Sequence, residues 1–308
     1  RWLERVPGIL VWGTLLLAVG VSLIWPVAAI AFILVFDVYW LVRILYIISF
    51  VLLAYRRYGA AIKHDWLTEV QGIDGWEHIW HMIVIPTATE PDAVLAQTLE
   101  SLTKIQFPKD RCLVLLATEA RTGQGREAGY QKLVDEYAKH FGGLLWTIHP
   151  GDIVGELAGK GANIAWAGHN AKEWFDGKNI SYPNIIVSTF DADSIAHPQY
   201  FSYLTAMYLR HPNRLRTSYQ PIPLFHNNVW ETLPWMRVVS TSTTFWLMGD
   251  TMRPDRLFTF SSHSMPFQAL VDVGFWQTDV VSEDSRIFLQ CLMHYYVAYS
   301  VTPMYIPI

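Results

Sequence analysis

Asn184-Ile185-Ile186-Val187-Ser188-Thr189-Phe190-Asp191-Ala192-Asp193 is the stretch that decides the fold. Its apolar, β-branched body reads as a strand buried on both faces, the kind found in a parallel sheet covered by helices. Two carboxylates flanking one small residue follow at once. In an open α/β sheet, ligands bind beyond the carboxyl ends of the strands, so Asp191 and Asp193 are delivered to a crevice. Hard oxygen ligands at such a place suit Mg²⁺ or Mn²⁺, which can bridge a diphosphate and stabilise it as a leaving group. Alone, the triplet fits a solvated turn equally well; the strand before it favours the metal.

Working outward, strand and helix patterns alternate. His81 to Thr89 reads as a buried strand, and Pro91 opens a helix with Val94, Leu95, Leu99 and Leu102 at helical spacing. Cys112 to Ala117 is a second strand, followed by a turn at Gly123 and Gly125 and a helix from Glu127 to His140. Leu144 to Ile148 is a third strand, and Ala158 to Ala171 a helix that leads to the fourth. This order predicts an α/β fold with a mostly parallel sheet and flanking helices. Beyond Asp193, Pro198 to Leu209 reads as a helix and Arg216 to Gln220 as a short strand. Trp230 to Asp250 is a long apolar, aromatic-rich segment, within which Trp230 to Gly249 is readable as an interfacial helix. Ser282 to His294 reads as a helix.

The N-terminus is different. Hydrophobic residues make up 52% of the 308 and charged ones only 16%, and the imbalance is concentrated at the start. Val6 to Phe36 holds no charge, well beyond the ~20 apolar residues that cross a bilayer. Two transmembrane helices are expected, Gly8 to Ile24 and Val27 to Tyr55, turning at Trp25-Pro26. The chain then divides into a transmembrane hairpin (1–57), a connector (58–80) and a catalytic domain (81–308). Arg1 and Arg5 before the spans, and Arg56, Arg57 and Lys63 after them, place both ends in the cytosol. Asp37 and Arg43 within the second span each require a partner. The start without Met and the apolar end Tyr305-Ile306-Pro307-Ile308 suggest a fragment truncated at the C-terminus. Beyond residue 60 acids outnumber bases, which argues against a nucleic-acid partner. Cys112 and Cys291, in apolar runs, are expected as buried thiols.

A second acidic pair is Glu283-Asp284. At a helix start it can be simple capping, favoured by the helix dipole. Transfer to a hydroxyl also needs a general base, and Asp284 is the candidate, with Glu283 beside it. His78 and His81 lack a third ligand and read as connector and strand start rather than zinc ligands. Gly123-x-Gly125 reads as a turn rather than a phosphate cradle. Phe245, Trp246, Phe258, Phe260, Phe275 and Trp276 read mainly as core, with one or two able to stack on a sugar.

Four motifs in order carry a resemblance. Val84-Ile85-Pro86-Thr87-Ala88-Thr89-Glu90-Pro91, Gly159-Lys160-Gly161-Ala162-Asn163, Phe190-Asp191-Ala192-Asp193 and Val281-Ser282-Glu283-Asp284 resemble family 2 glycosyltransferases. They are most similar to the membrane-embedded branch that includes cellulose and hyaluronan synthases. The resemblance implies a GT-A fold, a nucleoside-diphosphate sugar donor (a UDP-sugar foremost), Mg²⁺ or Mn²⁺, inversion at the anomeric carbon, and a glycan or lipid acceptor at the cytoplasmic membrane face. It makes Thr87, Glu90 and Glu119 nucleotide contacts, although the family usually has aspartate where Glu119 stands. It sets Lys160 and Asn163 near the donor, Lys160 countering phosphate charge. Asp191 would meet the nucleotide sugar and the metal, Asp193 the metal, and Asp284 would be the base. Ser218-Tyr219-Gln220-Pro221 is loosely similar to an acceptor-side stretch, which makes Gln220 an acceptor-side residue. The Gln-x-x-Arg-Trp motif of processive synthases is absent, since Gln290 is followed by Cys291-Leu292-Met293-His294. A polyprenyl-phosphate sugar transferase and a non-catalytic membrane scaffold are the alternatives.

Overall fold

The computed structural model describes residues 2–225 and 229–308. By contacts the chain divides into two units, Arg1–Leu52 and Leu53–Ile308. The first comprises helix α1 (Trp2–Ile24) and most of α2 (Pro26–Ala61). Only Trp25 separates the two helices. Its carbonyl accepts from the amides of Ala28 and Ala29, and Pro26 takes the first helical position, where a missing N–H costs nothing. Both helices are long and apolar enough to cross a membrane, and most of their large apolar side chains are exposed. A helix of 23 residues measures about 35 Å, against a hydrocarbon core of about 30 Å. At 36 residues α2 is longer still, and it continues through Arg56 and Arg57 to Ala61. Arg57 Nη1 donates to the Tyr305 hydroxyl at 2.8 Å.

The second unit runs α3 (Trp66–Gln71), β1 (Trp80–Pro86), α4 (Asp92–Thr103), β2 (Cys112–Glu119), α5 (Ala120–Gly123), α6 (Glu127–Tyr137), β3 (Gly143–His149), α7 (Lys160–Gly177) and β4 (Ile185–Thr189). Then follow α8 (Tyr200–Arg210), β5 (Thr217–Ile222), α9 (Pro234–Asp250), β6 (Ser264–Pro266), α10 (Phe267–Asp272), α11 (Glu283–His294) and β7 (Ser300–Pro307). The strands form one seven-stranded sheet ordered β3-β2-β1-β4-β6-β5-β7. β3, β2, β1 and β4 run parallel, as does β7 with β5, while β6 is antiparallel to β4 and β5. The mostly parallel α/β sheet is therefore as expected. β1 lies between β2 and β4, so the chain moves outward to β3 and then returns to the other side of β1. That reversal is a topological switch point, and it opens a crevice at the carboxyl ends of β1, β2 and β4.

Period-two alternation assigns the two sheet faces. Met82, Val84, Leu113, Leu115, Ile185 and Val187 pack with Ile164 and Phe175 of α7, Phe267 of α10 and Ile287 of α11. On the opposite face His81 packs edge-on against Phe107 and Phe201, and its Nε2 lies 2.8 Å from the Thr205 hydroxyl on α8. Burial and the nearby Arg111 charge hold its pKa down at about 3. His81 is thus a core residue, while His78 is at the surface. Cys112 and Cys291 are buried free thiols, and burial pushes Cys291 up to about 12.

Several boundaries differ from expectation for physical reasons. The first strand stops at Pro86, because the Glu90 carboxylate folds back to accept from the amides of Ala88 and Thr89 and the Thr87 hydroxyl. The aromatic series divides: Phe275 and Trp276 are core, whereas Phe245, Trp246 and Phe258 are exposed. In Trp230 to Asp250 the helix begins at Pro234 and exposes Trp235, Val238 and Val239.

Gly142 lets the chain enter β3. Its amide donates to the Lys109 carbonyl at 2.8 Å, and a Cβ there would collide with the Asp110 carbonyl oxygen and lie 2.8 Å from its carbon. Because the obstacle is backbone, Gly142→Ala is expected to destabilise the protein by roughly 1–3 kcal/mol. A thermal melt of the full chain checks this; an unchanged Tm would contradict the close approach.

Candidate active site

The crevice at the switch point has a volume of ≈ 470 Å³. Thr87, Ala88 and Glu90 line it from the β1 loop, Glu119 from the end of β2, Lys160 and Asn163 from α7, and Asp191 and Asp193 from the β4 loop. The expected donor-side residues thus come from four separate elements into one space. Glu119 is buried and ion-paired with Arg121. Asn163 is 1% exposed and donates through Nδ2 to the Ala117 carbonyl at 2.8 Å, which ties α7 to the end of β2. Glu90 spends its carboxylate on its own loop; burial raises its pKa, but the Ala88 amide and the other donors outweigh burial and leave it below the ordinary value.

Lys160, in the first turn of α7, is the centre of the charge arrangement. Its Nζ lies 3.0 Å from Asp191 Oδ1, 2.9 Å from Asp284 Oδ2 and 3.5 Å from Glu283 Oε1. One ammonium therefore faces three carboxylates brought from the β4 loop and the start of α11. Burial lowers the Lys160 pKa, but the charges of Asp284 and Asp191 outweigh it and hold the ammonium above its ordinary value. Burial likewise raises Asp191, yet Lys160 and a hydrogen bond from Ser261 leave its carboxyl below the usual range. Glu283 goes the other way: burial, then the neighbouring Asp284 charge, raise it. Gly161 permits this approach, because a Cβ there would meet the Gln277 carbonyl at 3.1 Å and Glu283 Cβ at 3.2 Å.

Asp193 is exposed on the crevice wall. Among the described residues, no group of three or more His, Cys, Asp or Glu is arranged to hold a metal. An ion at this strand end would rely on one or two carboxylates and take its remaining ligands from phosphate oxygens and water. Mg²⁺ ordinarily binds in that way, so the donor set fits a divalent ion presented with a diphosphate.

Two further residues enter the site that sequence patterns did not indicate. Ser261 Oγ donates to Asp191 Oδ2, and His263 Nδ1 lies 3.6 Å from Asp284 Oδ1. Their only sequence signal is the polar run Ser261-Ser262-His263-Ser264 between apolar neighbours. Gln220, expected on the acceptor side, is fully buried; it accepts from the Phe260 amide at 3.0 Å and donates to the Ser261 carbonyl at 3.3 Å. It supports the loop that carries Ser261 rather than lining the crevice.

No family model matches the chain, and no curated protein matches it. Solved structures do. The mannosyltransferase PcManGT from Pyrobaculum calidifontis, in complex with GDP-Man and Mn²⁺, aligns with a TM-score of 0.51 at 14% identity over 84% of this chain. S. aureus TarS in complex with UDP-GlcNAc aligns at 0.45 and 13% over 73% of this chain. Mycobacterium tuberculosis glucosyl-3-phosphoglycerate synthase in complex with UDP aligns at 0.44 and 12% over 74%. The chain spans 64%, 56% and 70% of those proteins, respectively. At this identity the likeness to the mannosyltransferase is one of fold, and the sheet is GT-A-like.

Proposed function

We propose that this protein is a membrane-bound glycosyltransferase that moves a sugar from a nucleoside-diphosphate sugar, foremost a UDP-sugar, to a hydroxyl of a glycan or lipid acceptor. The observation that carries the reading is the convergence of Asp191, Glu283 and Asp284 on Lys160, which with Asp191 lines a crevice at the switch point of a GT-A-like sheet. Titratable groups shifted by burial and by one another's charges beside a cleft mark candidate functional sites. The ordered motifs of the family 2, cellulose-synthase-like branch support the same reading.

In this account Thr87, Glu90, Glu119 and Asn163 shape the nucleotide end, and Lys160 meets the diphosphate. A divalent ion held by Asp193, with Asp191 beside it, would neutralise charge on the leaving diphosphate. Asp284 Oδ2 takes the proton of the acceptor hydroxyl as its oxygen attacks the anomeric carbon. The bond from that carbon to the diphosphate oxygen breaks with its electron pair, and direct displacement inverts the configuration. In the structure Lys160 Nζ donates to Oδ2 of Asp284. Donor binding offers the ammonium a stronger anion and frees the base, so that base and donor become available together. The helices α1 and α2 would cross the membrane and leave residues beyond α2 in the cytosol, the side favoured by Arg1 and Arg5 before the spans and by Arg56, Arg57 and Lys63 after them. The test is metal-dependent release of nucleoside diphosphate by the purified full chain.

A further inference from the structure

His263 is 1% exposed and sits directly behind the candidate base. Its backbone is pinned to the strand that delivers Asp191, since the Thr189 amide donates to the His263 carbonyl at 3.1 Å. The residue before it, Ser262, is buried at φ 62°, a left-handed conformation that non-glycine residues adopt only where their surroundings impose it. That turn sends the imidazole inward.

The ring makes one contact through Nδ1, and its buried Nε2 has no hydrogen-bond partner. Nδ1 lies 3.2 Å from the Phe260 carbonyl, and a carbonyl can only accept, so Nδ1 carries the proton. The same Nδ1 is 3.6 Å from Asp284 Oδ1, a buried carboxylate oxygen with no hydrogen-bond partner. Asp284 Oδ2 is held by Lys160. A shift of about 0.6 Å would bring Nδ1 and Oδ1 to ordinary hydrogen-bond length.

We propose that His263 is the positioning residue of the base: once Lys160 turns to the donor, the Nδ1–H holds Asp284 Oδ1, and Oδ2 is left facing the acceptor hydroxyl. This role rests on the glycosyltransferase reading above. The ring does not touch the substrate and transfers no proton. It takes over from the departed Lys160 ammonium as hydrogen-bond donor, so that the carboxylate keeps its orientation during attack.

Two amide side chains separate this role from packing. In His263→Asn, Nδ2 occupies the place of Nδ1; in His263→Gln, the amide nitrogen extends toward the place of Nε2. Nucleoside-diphosphate release by the full chain would be measured against donor and acceptor concentration, with donor-dependent Tm shifts recording folding and donor binding. The expected result is a kcat for His263→Asn within about 3-fold of wild type and a loss of 10-fold or more for His263→Gln and His263→Ala, with donor KM unchanged in all three. Equal loss in the Asn and Gln variants, or no loss in His263→Ala, would overturn the role while leaving the transferase intact. An unfolded His263→Ala leaves the Asn and Gln comparison to decide. A folded wild-type protein that turns over no donor would remove the base itself, and this role with it.

Discussion

Asp284→Asn is expected to lower kcat for sugar transfer by about 10²–10⁴-fold, the range of a lost general base, and to leave donor KM nearly unchanged. The substitution keeps the shape of the side chain and an oxygen for Lys160, whose Nζ is 2.9 Å from Oδ2. It also leaves the Asp284 carbonyl, which accepts from the Thr259 hydroxyl. The substitution removes the capacity to take a proton, together with one of the three negative charges around Lys160. Steady-state release of nucleoside diphosphate in the presence of acceptor checks this. A kcat within 10-fold of wild type would assign the base to another group, with Glu283 first in line.

Lys160→Met should have two effects. The first is weaker donor binding, through loss of the cation that faces the diphosphate. The second concerns stability. Lys160 is the ammonium shared by Asp191, Glu283 and Asp284, and its removal leaves three carboxylates facing one another. Breaking a buried ion pair costs about 3–5 kcal/mol, and the lower end applies here because the Lys160 side chain retains 23% exposure. The pH dependence has a definite sign. In wild type, Lys160 holds Asp191 below its ordinary value of 3.8, so that contribution is complete above 3.8 and is lost only as pH falls through the lower, folded value. In the variant, mutual repulsion raises the carboxylates above their unfolded values, so stability returns as pH falls and they take up protons. The Tm gap between wild type and Lys160→Met should therefore narrow from pH 7.5 to pH 5.5. An equal gap at both values would contradict the shared-cation account.

Which parts were legible in the sequence follows from local pattern. β1, β2 and β4 are short apolar runs bounded by breaks, and buried parallel strands are written that way. Lys160, Asp191 and Asp284 lie at the starts or ends of such elements, so their delivery to one crevice could be read from topology. β6 could not, because three residues offer no periodicity. β7 was hidden by Pro303 and Pro307, which a strand tolerates because it lies at the edge of the sheet. Ser261 and His263 enter through a loop whose course depends on Ser262 at positive φ and on the buried Gln220 amide. Neither signal is visible without coordinates. Glu90 carried the right motif, yet its carboxylate first satisfies the amides of its own turn.

Nucleoside-diphosphate release from the purified full chain separates a working transferase from a fold without turnover. A panel of UDP- and GDP-sugars with Mn²⁺ or Mg²⁺ would be used, with Asp193→Ala alongside. The expected result is metal-dependent release from one donor by wild type and its loss in Asp193→Ala. No release from any donor, by protein shown to be folded, would contradict it and leave a fold without turnover.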